Sequence, residues 1–193
     1  MVGPRFLSLR ESLFVEEFVS QFGVDTLNRL QDSFDTDNTF LGGEVGVEIK
    51  RQRNNFYWRT NARIAIGATH QELRVNGTTL RQQGGNEAVL FPGGLLAQRT
   101  NSGKWQRNQF SVVPQSEIEV GWRTKGGWEI SLGYNFMYWS QVLRVTDQVD
   151  RNLNPNLLPP ELANFSGAGS PAPRLLEDSY LAHGLSFGIE KTW

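Results

Sequence analysis

The chain has 193 residues and nearly balanced charge, 19 Lys and Arg against 20 Asp and Glu. Its pI is near 6.1, which argues against a general binder of nucleic acid or of anionic lipid. Hydrophobic residues make up 38%, mean hydropathy is −0.42, and no run approaches the roughly twenty apolar residues of a membrane-spanning helix, so a helical membrane protein is excluded. The absence of cysteine rules out a disulfide framework and a thiolate metal site, and no cofactor is expected. Twenty glycines with 12 Phe, 6 Trp and 4 Tyr suit an all-β chain with many turns.

Period-two alternation, sustained for the nine or more residues that a tilted membrane-crossing strand needs, marks six segments. They are roughly 5–19, 38–52, 55–71, 104–123, 127–145 and 178–193. Between the second and third, one register sets Glu48 opposite Arg59, Glu44 opposite Arg63 and Ile49 opposite Trp58, leaving a two-residue turn at Arg53-Asn54. In the third segment Phe56, Trp58, Ala62, Ile64, Ile66 and Ala68 share one face, while Tyr57, Arg59, Asn61 and Arg63 share the other. The fourth is broken by Pro114, which cannot donate to a ladder, so a bulge is expected near Val113 to Gln115. The apolar phases of the fourth and fifth are both even-numbered, which requires an odd loop: Thr124, Lys125 and a left-handed Gly126. The last segment alternates through Leu181, His183, Leu185, Phe187 and Ile189 to the aromatic Trp193.

Connections then alternate: long at 20–37, short at 53–54, long at 72–103, short at 124–126, long at 146–177. That is the asymmetry of an antiparallel up-and-down transmembrane β-barrel, with tight turns on one side and long loops on the other. Trp122, Trp128 and Trp193 are expected at one membrane interface, Phe110, Tyr138, Trp139 and Tyr180 near the opposite one, and Trp58 is a further interfacial aromatic. Candidates to face a lumen are Glu44, Glu48, Arg59, Asn61, Arg63, Glu117, Glu119 and Glu129, with Arg10 and Lys50 beside them. The segment 72–103 either extends the third strand as an external hairpin or folds inward as a constriction. Six strands fall short of the roughly eight that close a barrel around packed side chains. The start Met1-Val2-Gly3-Pro4 carries no export signal. The single domain 1–193 is therefore expected to be the C-terminal part of a larger barrel, its further strands lying upstream or in another copy.

Several stretches carry a resemblance: Phe34-Asp35-Thr36-Asp37-Asn38-Thr39-Phe40-Leu41-Gly42-Gly43, then Gly93-Gly94-Leu95-Leu96-Ala97-Gln98 with Thr100-Asn101. To these are added Tyr138-Trp139-Ser140-Gln141-Val142 with Arg144 and Asp147-Gln148-Val149-Asp150, and the terminal Gly184 to Glu190. Together they resemble the bacterial outer-membrane family of β-barrel porins numbered seven, over most of the chain. Val145-Thr146 stands where the family pattern has Pro-Gly, and Gln115 where it has Glu. The resemblance implies a barrel in the bacterial outer membrane, a passive pore or a structural envelope component, with outer-membrane lipid and the barrel-assembly machinery as partners, self-association as a further one, and no catalytic residues.

Two other readings stand beside it. A soluble up-and-down barrel would turn the apolar phase inward around an apolar ligand. A barrel-embedded lipid hydrolase would use Ser179 or Ser186 with His183, although Ser186 and His183 fall on opposite faces and no orienting acid stands out. His70 and His183 read as hydrogen-bonded or interfacial side chains. Asp147, Asp150, Glu161 and Asp178 flank the last long loop and read as solvated charges before they read as a hard-cation site.

Overall fold

The computed structural model describes residues 1–21, 25–159 and 169–191. Among the described residues lie seven strands: β1 (Val2–Gln21), β2 (Thr26–Arg53), β3 (Phe56–Gln83), β4 (Val89–Pro92), β5 (Gly103–Arg123), β6 (Trp128–Leu143) and β7 (Glu177–Lys191). Single 3-10 turns at Val145–Gln148 and Pro155–Leu157 punctuate the last loop. One antiparallel sheet runs in the order β1-β2-β3-β5-β6-β7, with the short β4 paired to the far end of β3.

β2 and β3 each run 28 residues, well beyond the roughly 9–11 that cross a bilayer. The connection expected at 20–37 is therefore mostly strand: β1 continues to Gln21 and β2 begins at Thr26. Alternation there is carried by polar residues, so no apolar face announces it. Cross-strand contacts supply the order instead, with Glu16 accepting from Arg29 Nε at 2.6 Å and from Gln31 Nε2 at 2.7 Å.

The β2–β3 register is displaced from the expected one. Arg53 pairs with Phe56 across an Asn54-Asn55 turn, so Glu48 faces Asn61, Lys50 faces Arg59 and Gly46 faces Arg63. Asn54 takes the left-handed φ of +54°, a conformation its short amide side chain tolerates. The displacement moves partners by two residues, so every side chain keeps its face. The β5–β6 hairpin shows the same kind of offset. Its three-residue loop is Lys125-Gly126-Gly127, and Gly127 at φ +77° is the left-handed residue. Pro114 raises no bulge on β5, whose register with β3 is unbroken from Gly103 to Trp122. Val112 N–H points toward β6 and Arg123 N–H toward β3, so Pro114 lacks its donor on the β6 side. There the β5–β6 ladder stops, at Gln115 and Met137, and the irregularity falls on β6 between Trp139 and Val142.

The two faces differ in kind. One exposes Phe6, Leu41, Val45, Ile66, Phe110, Leu132, Leu185 and Phe187. The other is concave, because Arg5 on β1 reaches Gln115 on β5 at 2.8 Å although two strands lie between them. The core sits on this inner side in two clusters, Phe34, Leu73, Val75, Ala97, Leu143 and Val145 in one, and Phe40, Ala65, Val113, Trp139 and Val142 in the other. The fold is an antiparallel half-barrel with β1 and β7 as its edges.

Candidate functional site

The inner face divides into a charged half beside the tight turns and a packed half beyond it. Glu44, Glu48, Arg59, Asn61, Arg63, Glu117, Glu119 and Glu129 all lie on the inner phase of their strands, as does Lys50. Arg10 does not: its partner across β1–β2 is Asp37 on the outer face. The structure does not bring Glu48 to Arg59. Arg59 Nη2 instead meets Glu119 Oε2 at 2.9 Å, and Glu48 takes Lys50 at 2.9 Å. Glu44 is reached diagonally by Arg63 at 3.6 Å and across β1 by Arg5 at 3.3 Å. Tyr57 lies over Gly121, where a Cβ would meet its ring at 2.2 Å, and donates its hydroxyl to Glu119 at 3.1 Å. Glu129 accepts from Arg123 at 2.6 Å. Of these groups Lys50, Tyr57, Arg59, Glu119, Arg123 and Glu129 line an open cavity of about 580 Å³.

The other half is crossed by the end of β6. Ser140 Oγ accepts from Val112 N–H at 2.9 Å as β6 leaves β5. At Gln141 the backbone takes φ +56°, and the chain then passes over β3, β2 and β1 in turn. Gln71 on β3 donates Nε2 to the Gln141 carbonyl at 2.8 Å. Asn38 on β2 holds Leu143 by both backbone groups, accepting its N–H at 2.7 Å and donating to its carbonyl at 3.0 Å. Glu11 on β1 pairs with Arg144 at 2.9 Å and accepts from Val145 N–H at 3.1 Å. Residues 140–145 thus form a strap across the concave face, beneath which Trp139 donates Nε1 to Thr69 Oγ1 at 3.0 Å and stands edge-on to Phe40 at 6.2 Å. The floor is thin: Gly42 and Gly67 face each other, and a Cβ on either would fall within 2.4 Å of the opposing strand's backbone.

The segment 72–103 does both things expected of it as alternatives. Residues 72–83 prolong β3, while 93–102 fold back onto the inner side. The buried Asp32 carboxylate accepts three successive backbone N–H groups, from Leu95 at 3.2 Å, Leu96 at 3.1 Å and Ala97 at 2.8 Å. This carboxylate satisfies a turn whose donors would otherwise be stranded in a dry site.

Trp58, Trp122, Trp128 and Tyr138 are on the outer face. Trp139 is not an interfacial aromatic: at 2% exposure it belongs to the inner core. Its odd number places it in phase with Glu129, Ser131 and Gly133, a signal that parity alone carried. Trp193 and Glu161 lie outside the described residues. Asp150 accepts from Asn152 N–H at 3.1 Å and Ala172 N–H at 2.9 Å, and these backbone donors, Ala172 foremost, hold its carboxyl below the usual range. Among the described residues no cluster of three or more His, Asp or Glu is arranged to hold a metal ion. His183 points outward against the Tyr134 ring, whereas Ser186 points inward beside Gly133, so these two do not form a nucleophile pair.

Strand β2, the 93–102 turn, the strap with the 3-10 turn after it, and strand β7 contain the stretches that carried the resemblance. No curated protein and no solved structure matches the chain. A family model described as Putative beta barrel porin-7 matches residues 1–193. The chain belongs to that family.

Proposed function

We propose that the protein is a bacterial outer-membrane barrel whose interior is shut by its own strap, so that it serves as a structural component of the envelope and not as an open passive pore. The observation that carries this is the crossing of the concave face by residues 140–145, tied to three strands by Gln71, Asn38 and Glu11. Phe34, Phe40, Leu73 and Trp139 are buried on the same inner face, and this packed layer supports a filled interior. The apolar residues on the convex face support a lipid environment, the reverse of a soluble barrel built around an apolar ligand. In a bilayer the edges β1 and β7 need partners, since unpaired backbone groups are costly in hydrocarbon. Further strands or a second copy would supply them, with barrel-assembly machinery guiding insertion. Family membership and geometry together support a non-enzymatic role. Planar-bilayer recording of the complete barrel tests the reading, with no steady conductance as the expected result. A stable ohmic current would replace it with the pore.

A further inference from the structure

Paired positions on the outer face form straight rows across β1, β2, β3 and β5. The row Phe6, Leu41, Ala68 and Phe110 is apolar throughout. The next row toward the long-loop end is Ser8, Thr39, His70 and Asn108, in which His70 Nδ1 is 2.8 Å from Asn108 Oδ1. Beyond it come Arg10, Asp37, Glu72 and Gln106, then Ser12, Asp35, Arg74 and Lys104. The change from hydrocarbon to charge is complete within one row.

The opposite limit of the apolar band is the row Arg53, Phe56, Trp122, Ile130 and Ile189. From Phe56 to Ala68 on β3, at about 3.4 Å per residue and a tilt of about 45°, the band spans roughly 29 Å. That is the hydrocarbon thickness of a bilayer, about 30 Å. The charged rows therefore stand at the depth of lipid headgroups, and β1, β2 and β3 continue beyond them into water.

Within those rows five of the six charges are sorted by depth; the sixth, Asp35, is part-exposed and accepts from the Ser12 and Ser33 hydroxyls. Arg10, Arg74 and Lys104 have side chains 74%, 61% and 51% exposed, whereas their partners Asp37 and Glu72 are only 27% and 10% exposed. Arg10 gives Nε to Asp37 at 3.0 Å, Lys104 meets Glu72 at 3.0 Å, and Arg74 also pairs with Glu72. The acids thus orient the cations while the cations form the outermost layer. A guanidinium has five N–H donors and an ammonium three, so these pairs do not exhaust them.

We infer that these two adjacent rows, with Arg10 in one and Arg74 and Lys104 in the other, form a binding site for the phosphate of anionic lipid headgroups. The inference rests on the membrane reading above and adds a lipid preference to it. The chain's overall charge gives no such preference, because acids and bases balance; the preference comes from which sign is presented at headgroup depth.

The chain contains no cysteine, so single cysteines carrying a fluorophore report each row. In phosphatidylcholine vesicles, labels at Leu41→Cys and Phe110→Cys should be quenched by lipids brominated on the acyl chain, and labels at Ser8→Cys and Asn108→Cys by a water-soluble quencher. If no label is quenched by lipid, the membrane reading fails. If both rows are quenched equally by lipid, insertion holds and the boundary proposed here fails. For the headgroup, brominated phosphatidylglycerol and phosphatidylcholine compete at the Leu41→Cys label. The anionic lipid should be preferred, and Arg10→Gln, Arg74→Gln or Lys104→Gln should each lower the preference about two- to fivefold. Removing a cation with its acid, as in Arg10→Gln with Asp37→Asn, should give the same loss without leaving a half-buried carboxylate unpaired. Inorganic phosphate in the buffer should not compete; competition would mean a site for free phosphate and overturn the lipid assignment. Equal binding of both lipids by the unaltered protein would overturn it as well.

Discussion

Asp32 shows how much one short side chain can determine. Its carboxylate accepts the N–H groups of Leu95, Leu96 and Ala97 at a site 1% exposed. Asp32→Ala strands those donors and should destabilise the detergent-folded protein by roughly 2–4 kcal/mol, read from the midpoint of a denaturant titration. Asp32→Asn, which keeps one acceptor oxygen, should lose less. Asp150 does related work in the last loop, and its depressed pKa fixes the pH dependence. A group ionised more readily when folded contributes stability above its unfolded value, near ~3.9, and loses it as pH falls through the folded value. The contacts of Asp150 with Asn152 and Ala172 should therefore hold at neutral pH and loosen in acid, below the ordinary aspartate range. Protease susceptibility near Ala172 should rise in acid, and Asp150→Asn should raise it at neutral pH and flatten the acid response. Neither role was legible in sequence. An Asp in an alternating strand and an Asp in a loop look alike until a distant backbone arrives to use them.

At the scale of strands, most of the face assignment was legible, because a wall with lipid on one side and protein on the other writes period two into every segment. Ile66 and Leu132 are each 51% exposed on the outer face. Replacing either with Arg should cost roughly 2–4 kcal/mol near mid-bilayer, while Asn61→Arg and Ser131→Arg on the inner face should cost less. Equal losses on both faces in an unfolding titration would refute the assignment. Exact pairing was harder to read, since displacement by two residues preserves every face and even keeps Glu44 within reach of Arg63. Arg59 pairs with Glu119 in place of Glu48. Arg59→Glu or Glu119→Arg alone should weaken folding by up to about 1 kcal/mol, the range of partly exposed pairs. The double reversal should restore it, and a double-mutant cycle with no coupling would place the two side chains apart. The extension of β2 back to Thr26 is not legible in sequence for a different reason. Beyond the bilayer neither face must be apolar, so the alternation has no hydrophobic code.

The whole molecule joins a charged inner wall beside the tight turns to a close-packed inner half beyond it, and the strap crosses that packed half. Its motif, Trp139-Ser140-Gln141-Val142, was visible in the sequence, but its path was not, because it is set by Gln71, Asn38 and Glu11 on three strands far away in the chain. If those contacts close the barrel, releasing them should open it. Asn38→Ala removes both bonds to Leu143, and Glu11→Ala frees Arg144 and Val145. The double variant should then show conductance in planar bilayers where the unaltered barrel shows none. With the strap displaced, the inner charges become the path wall, so adding Arg59→Glu and Arg63→Glu should move selectivity toward cations. A released barrel that stays silent would mean that the packed layer of Phe34, Phe40 and Trp139 seals the interior without the strap. A barrel that already conducts, with selectivity following Arg59 and Arg63, would make the strap an ornament of the wall and the protein a pore.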